Sequence, residues 1–319
     1  MSTAEGVHPS ATAVGEASAE GAQARRPPAP RLRTGRPLTP RRVVLHVFLA
    51  VTALLWFFPL FWAVLNSFRD YSYTATHGYA SLGGFTIDNY TNAWARGNFA
   101  HTFVNSLWIT VPAVVLTLFL SACVAFVLAR FSFRFNLTLL GVFVAANLLP
   151  PQALLIPIYR AFRAIPVPLW LSDSGTLLNS FLGLILINTA FQTGFCTFVL
   201  SNYMKTLPHE LYESAQIDGA SILRQFWQIT LPLCRPPLAA LATLEVTWIY
   251  NEFFWATVLL QTGDKFPVTS SLNNLKGQFF VDYNLLSAGS VIVALPPIIV
   301  FFVLQKQFVS GLTLGATKG

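Results

Sequence analysis

The sequence predicts an all-α integral membrane protein with six transmembrane helices. Three observations carry that expectation. Of 319 residues, 54% are hydrophobic and only 10% are charged, whereas soluble domains carry roughly a quarter charged residues. Aromatic side chains, 28 Phe and 8 Trp among them, deepen the apolar bias. Several apolar stretches reach the about 20 residues that a helix needs to cross a ~30 Å hydrocarbon core. An ordinary soluble core is excluded on these grounds. The formal charge of +7 is not read as the footprint of a nucleic-acid partner, because Arg25, Arg26, Arg31, Arg33, Arg36, Arg41 and Arg42 crowd just before the first apolar stretch. That is the pattern of a cytosolic flank held near anionic membrane lipid.

Taken in order, residues 1–42 are rich in Ala, Gly, Pro, Ser and Arg. They lack the large apolar residues that offset the entropy of ordering, so a disordered basic tail is expected. The apolar stretch that follows is too long for a signal peptide, and no small-residue cleavage site follows it. Six spans are predicted at approximately 43–66, 103–128, 137–158, 180–202, 234–260 and 285–305. The third holds Pro150-Pro151 and Pro157, and the fifth opens on Pro236-Pro237. Proline removes a backbone bond and kinks a helix, which a membrane tolerates where neighbouring helices cover the freed carbonyl. The membrane-spanning body is thus 43–308, with a C-terminal tail at 309–319.

Lys and Arg set the orientation. With the N-terminus inside, 14 of the 20 lie inside and six outside. Both termini and the loop 205–232 then fall in the cytosol. The longest outer loop, 67–102, carries Tyr71, Tyr73, Tyr79, Tyr90 and Trp94. Aromatics there suit the lipid–water boundary and equally a docking surface.

The loop 205–232 is water-compatible and helix-forming. Thr206 and Pro208 are helix-start signals, and Glu210 and Glu213 complement the helix dipole. Leu211, Ala215, Asp218 and Ile222 recur at helical spacing. Gly219 permits a turn. The expected form is a helix, a bend at Gly219-Ala220 and a second short helix through about Gln228. Small residues at Ser214, Ala215, Gly219 and Ala220 let another surface approach closely, and Asp218 is expected to brace the bend through backbone amides. Two readings stand: an amphipathic helix on the inner membrane face, or a docking element. Only Lys205 and Arg224 flank it, without the Lys/Arg-rich face of surface helices.

The pattern Glu213-x-Ala215, three residues, Gly219, nine residues, Ile229-x-Leu231-Pro232 resembles the signature loop of ABC importer permeases. The form Ile217-Asp218-Gly219-Ala220 is similar to the carbohydrate, maltose-type subfamily, with Ser214 where that family usually has Ala. The resemblance covers about residues 40–319. It includes Phe85-Thr86-Ile87-Asp88-Asn89-Tyr90, Asn105-Ser106-Leu107, Leu149-Pro150-Pro151-Gln152 and Asn251-Glu252-Phe253. The run from Phe308 to Gly319 looks like the tail of the second permease of the pair.

The resemblance implies a type I ABC importer permease fold in a bacterial inner membrane, with the loop as a cytosolic coupling helix. Glu213, Ser214, Ala215, Asp218, Gly219, Ala220, Ile229, Leu231 and Pro232 would form the ATPase-coupling surface. The implied partners are a second permease subunit, an ABC ATPase dimer and an extracytoplasmic solute-binding protein. The chain lacks a Gly-x4-Gly-Lys-Ser/Thr phosphate loop, so ATP and Mg belong to the partner ATPase.

Glu245, Asn251 and Glu252 are the candidate translocation-pathway residues. At ~1.5 Å per residue, Glu245 lies ~18 Å above residue 233 and Glu252 ~28 Å. Intramembrane charge often marks a pathway; the alternatives are a carboxyl bonded to a neighbouring helix and, for Glu252, an interfacial carboxylate. Asn147, Asn188 and Gln192 fit interhelical hydrogen bonds as well as sugar contacts. Cys123, Cys196 and Cys234 show no metal or disulfide spacing, and the five His show none either. No catalytic constellation is legible. An ion-coupled secondary transporter using Glu245 and a membrane-embedded enzyme are the competing classes.

Overall fold

The computed structural model describes residues 40–277 and 279–313. The predicted tail up to residue 39, and 314–319 of the C-terminal tail, lie outside the described residues. Among the described residues every regular element is helical, with two isolated β-bridges. The chain divides at Leu54. Before it, the described residues 40–54 form one rod that exposes Val44, Phe48 and Leu54. This rod is the start of α1, Pro40–Ser67.

From Leu55 onward, α1 exposes Leu55, Trp56, Phe57 and Phe58 and buries Asn66 and Ser67. Then come α2, Tyr71–His77, and α3, Asp88–Arg96. Their connection is organised by Arg69, which is fully buried. Its guanidinium donates to Tyr79 O (2.7 Å), Ser81 Oγ (2.6 Å), Asn66 Oδ1 (3.2 Å) and Gly83 O (3.2 Å). Asn89 is buried and donates to Ser67 O and Arg69 O.

The centre is the pair α4, Phe99–Arg130, and α7, Phe181–Met204. Lipid offers no hydrophobic drive for helices to associate, so small residues that allow close approach decide the seam. Here they are Ala113, Thr117, Ser121, Ala122 and Ala125 against Cys196, Thr197 and Ser201, all buried. Ser121 Oγ donates to Thr193 O across the seam (3.1 Å). Between these helices run α5, Asn136–Asn147, and α6, Leu155–Ala164. A Cβ on Gly194 would lie 2.5 Å from Phe143 O of α5. Gly194→Ala is therefore expected to cost about 1–3 kcal/mol by overpacking, readable as a lower unfolding temperature of the detergent-solubilised protein.

Two predicted spans differ from continuous rods. The third, 137–158, is a bent pair, Asn136–Asn147 and Pro151–Ala164, turned by 94°. Leu149 precedes Pro150 and is disfavoured in the helical region. The N–H groups of Leu148 and Leu149 close on Ala145 O and Ala146 O, tightening the last turn. The fifth, expected at 234–260, ends early. After the short helices of residues 210–233, α11, Arg235–Tyr250, has 16 residues and is followed by the separate α12, Phe254–Leu259. Among the described residues, four helices are long and apolar enough to cross a membrane, or five if the bent pair is one span. Next come α13, Val268–Ser271, and α14, Tyr283–Thr313. Asp282 Oδ1 accepts from the N–H groups of Asn284 and Leu285 at the start of α14. Its helical backbone continues to Thr313, so the tail expected from 309 begins as helix.

Candidate functional site

The loop 205–232 folds as a braced pair of short helices. The first, α8, is Glu210–Ile217, with Glu210 and Glu213 in its first turn. The expected Thr206 cap is placed differently: its hydroxyl donates back to Tyr203 O (2.8 Å), closing α7. α8 stops because Gly219 takes φ +78°. Its N–H returns to Gln216 O (3.0 Å) and that of Ala220 to Ala215 O (2.8 Å). This is the glycine-terminated Schellman closure, for which a left-handed residue is required. Asp218, expected to brace the bend, instead has an exposed carboxylate with no hydrogen bond among the described residues. Around Gly219 an added Cβ meets open space. Gly219→Ala should therefore show the left-handed penalty alone, about 1 kcal/mol, as a small fall in melting temperature.

Ser221 caps the second short helix, α9, Ile222–Gln225, by accepting from Arg224 N. A π turn, Phe226–Thr230, leads into α10, Leu231–Leu233. Pro232 has no N–H for the Gln228 carbonyl. Upstream the ladder is widened, with Leu231 N–H reaching Phe226 O. Thus Ile229, Leu231 and Pro232 sit at an irregular turn, a feature frequent at functional sites.

One side chain of α8 is buried, Tyr212, at 4% exposure. Its ring packs near Phe126 (6.5 Å between centroids), and the Arg130 guanidinium carbon lies 4.9 Å from its centroid. Its hydroxyl is 3.1 Å from Thr230 Oγ1. Burial pushes the phenol above its usual pKa, so it stays protonated at neutral pH and can donate. The opposite face is open: Ile217 is 87% and Leu223 71% exposed, beside the exposed Ser214 and half-buried Ala215 and Ala220. Exposed apolar residues on a braced, small-residue surface suit close contact with another protein. Tyr212, Gln225 and Thr230 were not singled out from sequence; the only signal was a Tyr one residue before Glu213.

Each predicted pathway residue has a hydrogen-bond partner within the chain. Glu245 is fully buried and accepts from Cys196 Sγ of α7 (3.1 Å). Its Oε2 has no partner among the described residues. This is the neighbouring-helix arrangement rather than an exposed lining. Glu252 caps α12, accepting from Trp255 N (2.7 Å) and Ala256 N (3.0 Å). Asn251 donates to Thr247 O (2.8 Å), closing α11. Among the described residues, no group of three or more His, Cys, Asp or Glu is placed to hold a metal ion.

The described residues thus form a helical membrane bundle that presents a braced helix pair at one loop. The sequence profile of the family described as "binding-protein-dependent transport system inner membrane component" matches residues 95–313, and the chain belongs to that family. It is 33% identical over 263 residues to a probable ABC transporter permease protein of Pyrococcus horikoshii, covering 81% of this chain and 91% of the relative. It is 30% identical over 275 residues to the diacetylchitobiose uptake system permease protein NgcG of Streptomyces coelicolor, covering 86% and 88%. The fold matches a chain of a bacterial ABC transporter involved in alginate import, with TM-score 0.68 and 23% identity, over 83% of this chain and 95% of that one. The protein is an inner-membrane permease component of an ATP-driven ABC importer.

Proposed function

We propose that this chain imports a sugar or oligosaccharide as one half of a permease heterodimer, with loop 205–232 coupling ATPase closure to alternating access. The observation that carries the coupling role is the handle itself: a helix pair closed at Gly219, anchored by Tyr212 and exposing Ile217 and Leu223. Glu213, Ser214, Ala215, Asp218, Gly219 and Ala220 form its outer surface, and Ile229, Leu231 and Pro232 its return into the membrane. Two ATPase subunits bind and hydrolyse ATP with Mg, and an extracytoplasmic binding protein delivers the solute. The chain crosses the membrane six times, with both termini in the cytosol, and lipid covers its exposed apolar faces. The sugar reading is supported by a relative named for diacetylchitobiose uptake and a structural neighbour named for alginate import.

The test is sugar uptake into cells carrying the intact operon. Uptake should collapse on ATP depletion and survive an uncoupler. The reverse result would support ion coupling through Glu245, whose enclosure against Cys196 offers no opening to solvent.

A further inference from the structure

We infer that Tyr212 is a branching joint that passes movement of the handle into two membrane helices by two separate routes, its ring to α4 and its hydroxyl to α11. The inference rests on the handle being the ATPase-facing element.

The hydroxyl route follows from the order of hydrogen bonds. Thr230 has one hydroxyl hydrogen, and it is directed to Gln225 O (3.3 Å). Thr230 Oγ1 therefore accepts from Tyr212 (3.1 Å). Gln225 Nε2 in turn donates to Ala220 O (3.0 Å), at the bend. The chain Tyr212–Thr230–Gln225–Ala220 ties α8, the bend and the π turn into one body. Thr230 is fully buried, and the π turn runs through α10 into α11. A π turn closes its hydrogen bonds over five residues rather than four and is frequent at functional sites. The Tyr212 bond holds it at its C-terminal residue.

The ring route does not use the hydroxyl. Phe126 and Arg130 belong to the last turns of α4. Phe126 packs on Phe226 as well as Tyr212 (5.3 and 6.5 Å). The guanidinium over the ring adds an attraction that depends on the ring and not on the hydroxyl. Because Tyr212 is the one buried side chain of α8, tilting of that helix reaches α4 through this ring.

The two routes separate by substitution. The test is hydrogen–deuterium exchange on the complete detergent-solubilised complex, with and without ATP and vanadate as probe. In the wild type, nucleotide should alter exchange in the handle (210–225), at the end of α4 (126–130) and at 231–238. Tyr212→Phe and Thr230→Val each cut the hydroxyl route. The nucleotide response at 231–238 should fall about fivefold, the factor expected from one ordinary hydrogen bond, while the α4 response stays. The double variant should resemble either single one. Tyr212→Leu removes the ring and should silence the α4 response too.

Unchanged responses at 231–238 in Tyr212→Phe and Thr230→Val would overturn the joint. So would equal loss at both membrane ends in those variants, the mark of a merely structural residue. Loss of the handle's own response in Tyr212→Phe would make Tyr212 a docking residue and also overturn it. A wild-type complex whose handle ignores nucleotide would instead refute the coupling role of loop 205–232.

Discussion

Replacing Gly219 with proline is expected to abolish uptake while leaving the protein in the membrane at normal levels. Gly219 holds φ +78°, and proline locks φ near −65°. The substitution also deletes the N–H that bonds Gln216 O at 3.0 Å, and it disfavours the helical conformation of Asp218 before it. Asp218 sits there at φ −72°, ψ 4°. Together these cost on the order of 3 kcal/mol or more. The stress falls on a loop with open space around it, so the membrane helices need not unfold. What changes is the angle between α8 and α9, and with it the relation of Ile217 to Leu223. Co-purification of the ATPase should be lost along with uptake. Wild-type uptake by a well-expressed variant would remove loop 205–232 from the mechanism.

The second large effect is expected at Arg69. Methionine there keeps much of the side-chain volume but leaves Tyr79 O, Gly83 O, Ser81 Oγ and Asn66 Oδ1 without their charged donor. Hydrogen bonds to charged groups are worth about 1.5–3 kcal/mol each and are not additive, so a loss of at least 3 kcal/mol is reasonable. The consequence is local first: the segment between α2 and α3 loses its tie. Limited proteolysis should cut within 78–87 much faster than in the wild type, and the melting temperature should fall. Arg69→Lys should recover part of the protection, since one ammonium cannot span four acceptors. Unchanged proteolysis in Arg69→Met would show that the segment is held by α3 contacts alone.

The handle was the most legible part. Its helix and its bend at Gly219 follow from helix-start acids and a glycine, which act over three or four residues. The long spans now seen as α4, α7 and α14 were legible because apolar length needs no partner to be recognised. The third and fifth spans were not legible as they stand. Composition sees an apolar run through Leu148-Leu149-Pro150-Pro151, but the 94° bend depends on which carbonyls are left to close the turn. A carboxylate at position 252 looks like a charge in a span, yet its partners are the N–H groups of the next helix. Asp218 and Thr206 were misplaced for the same reason: a polar side chain near a bend has several backbone partners within reach. The structure directs Thr206 to the helix behind it and leaves Asp218 in water.

The sequence by itself determined that this is a helical membrane protein with a water-compatible, helix-forming loop that bends at Gly219, because apolar length, charge depletion and the Gly219 motif act locally along the chain. Only the tertiary structure decided that Tyr212 anchors that loop to α4, that Arg69 is buried among carbonyls, and that Glu245 faces Cys196 rather than an opening. Each of those joins residues that are distant along the chain or chooses one of several possible partners. That choice is made by burial, since an enclosed polar group must take whichever partner the packing brings within reach.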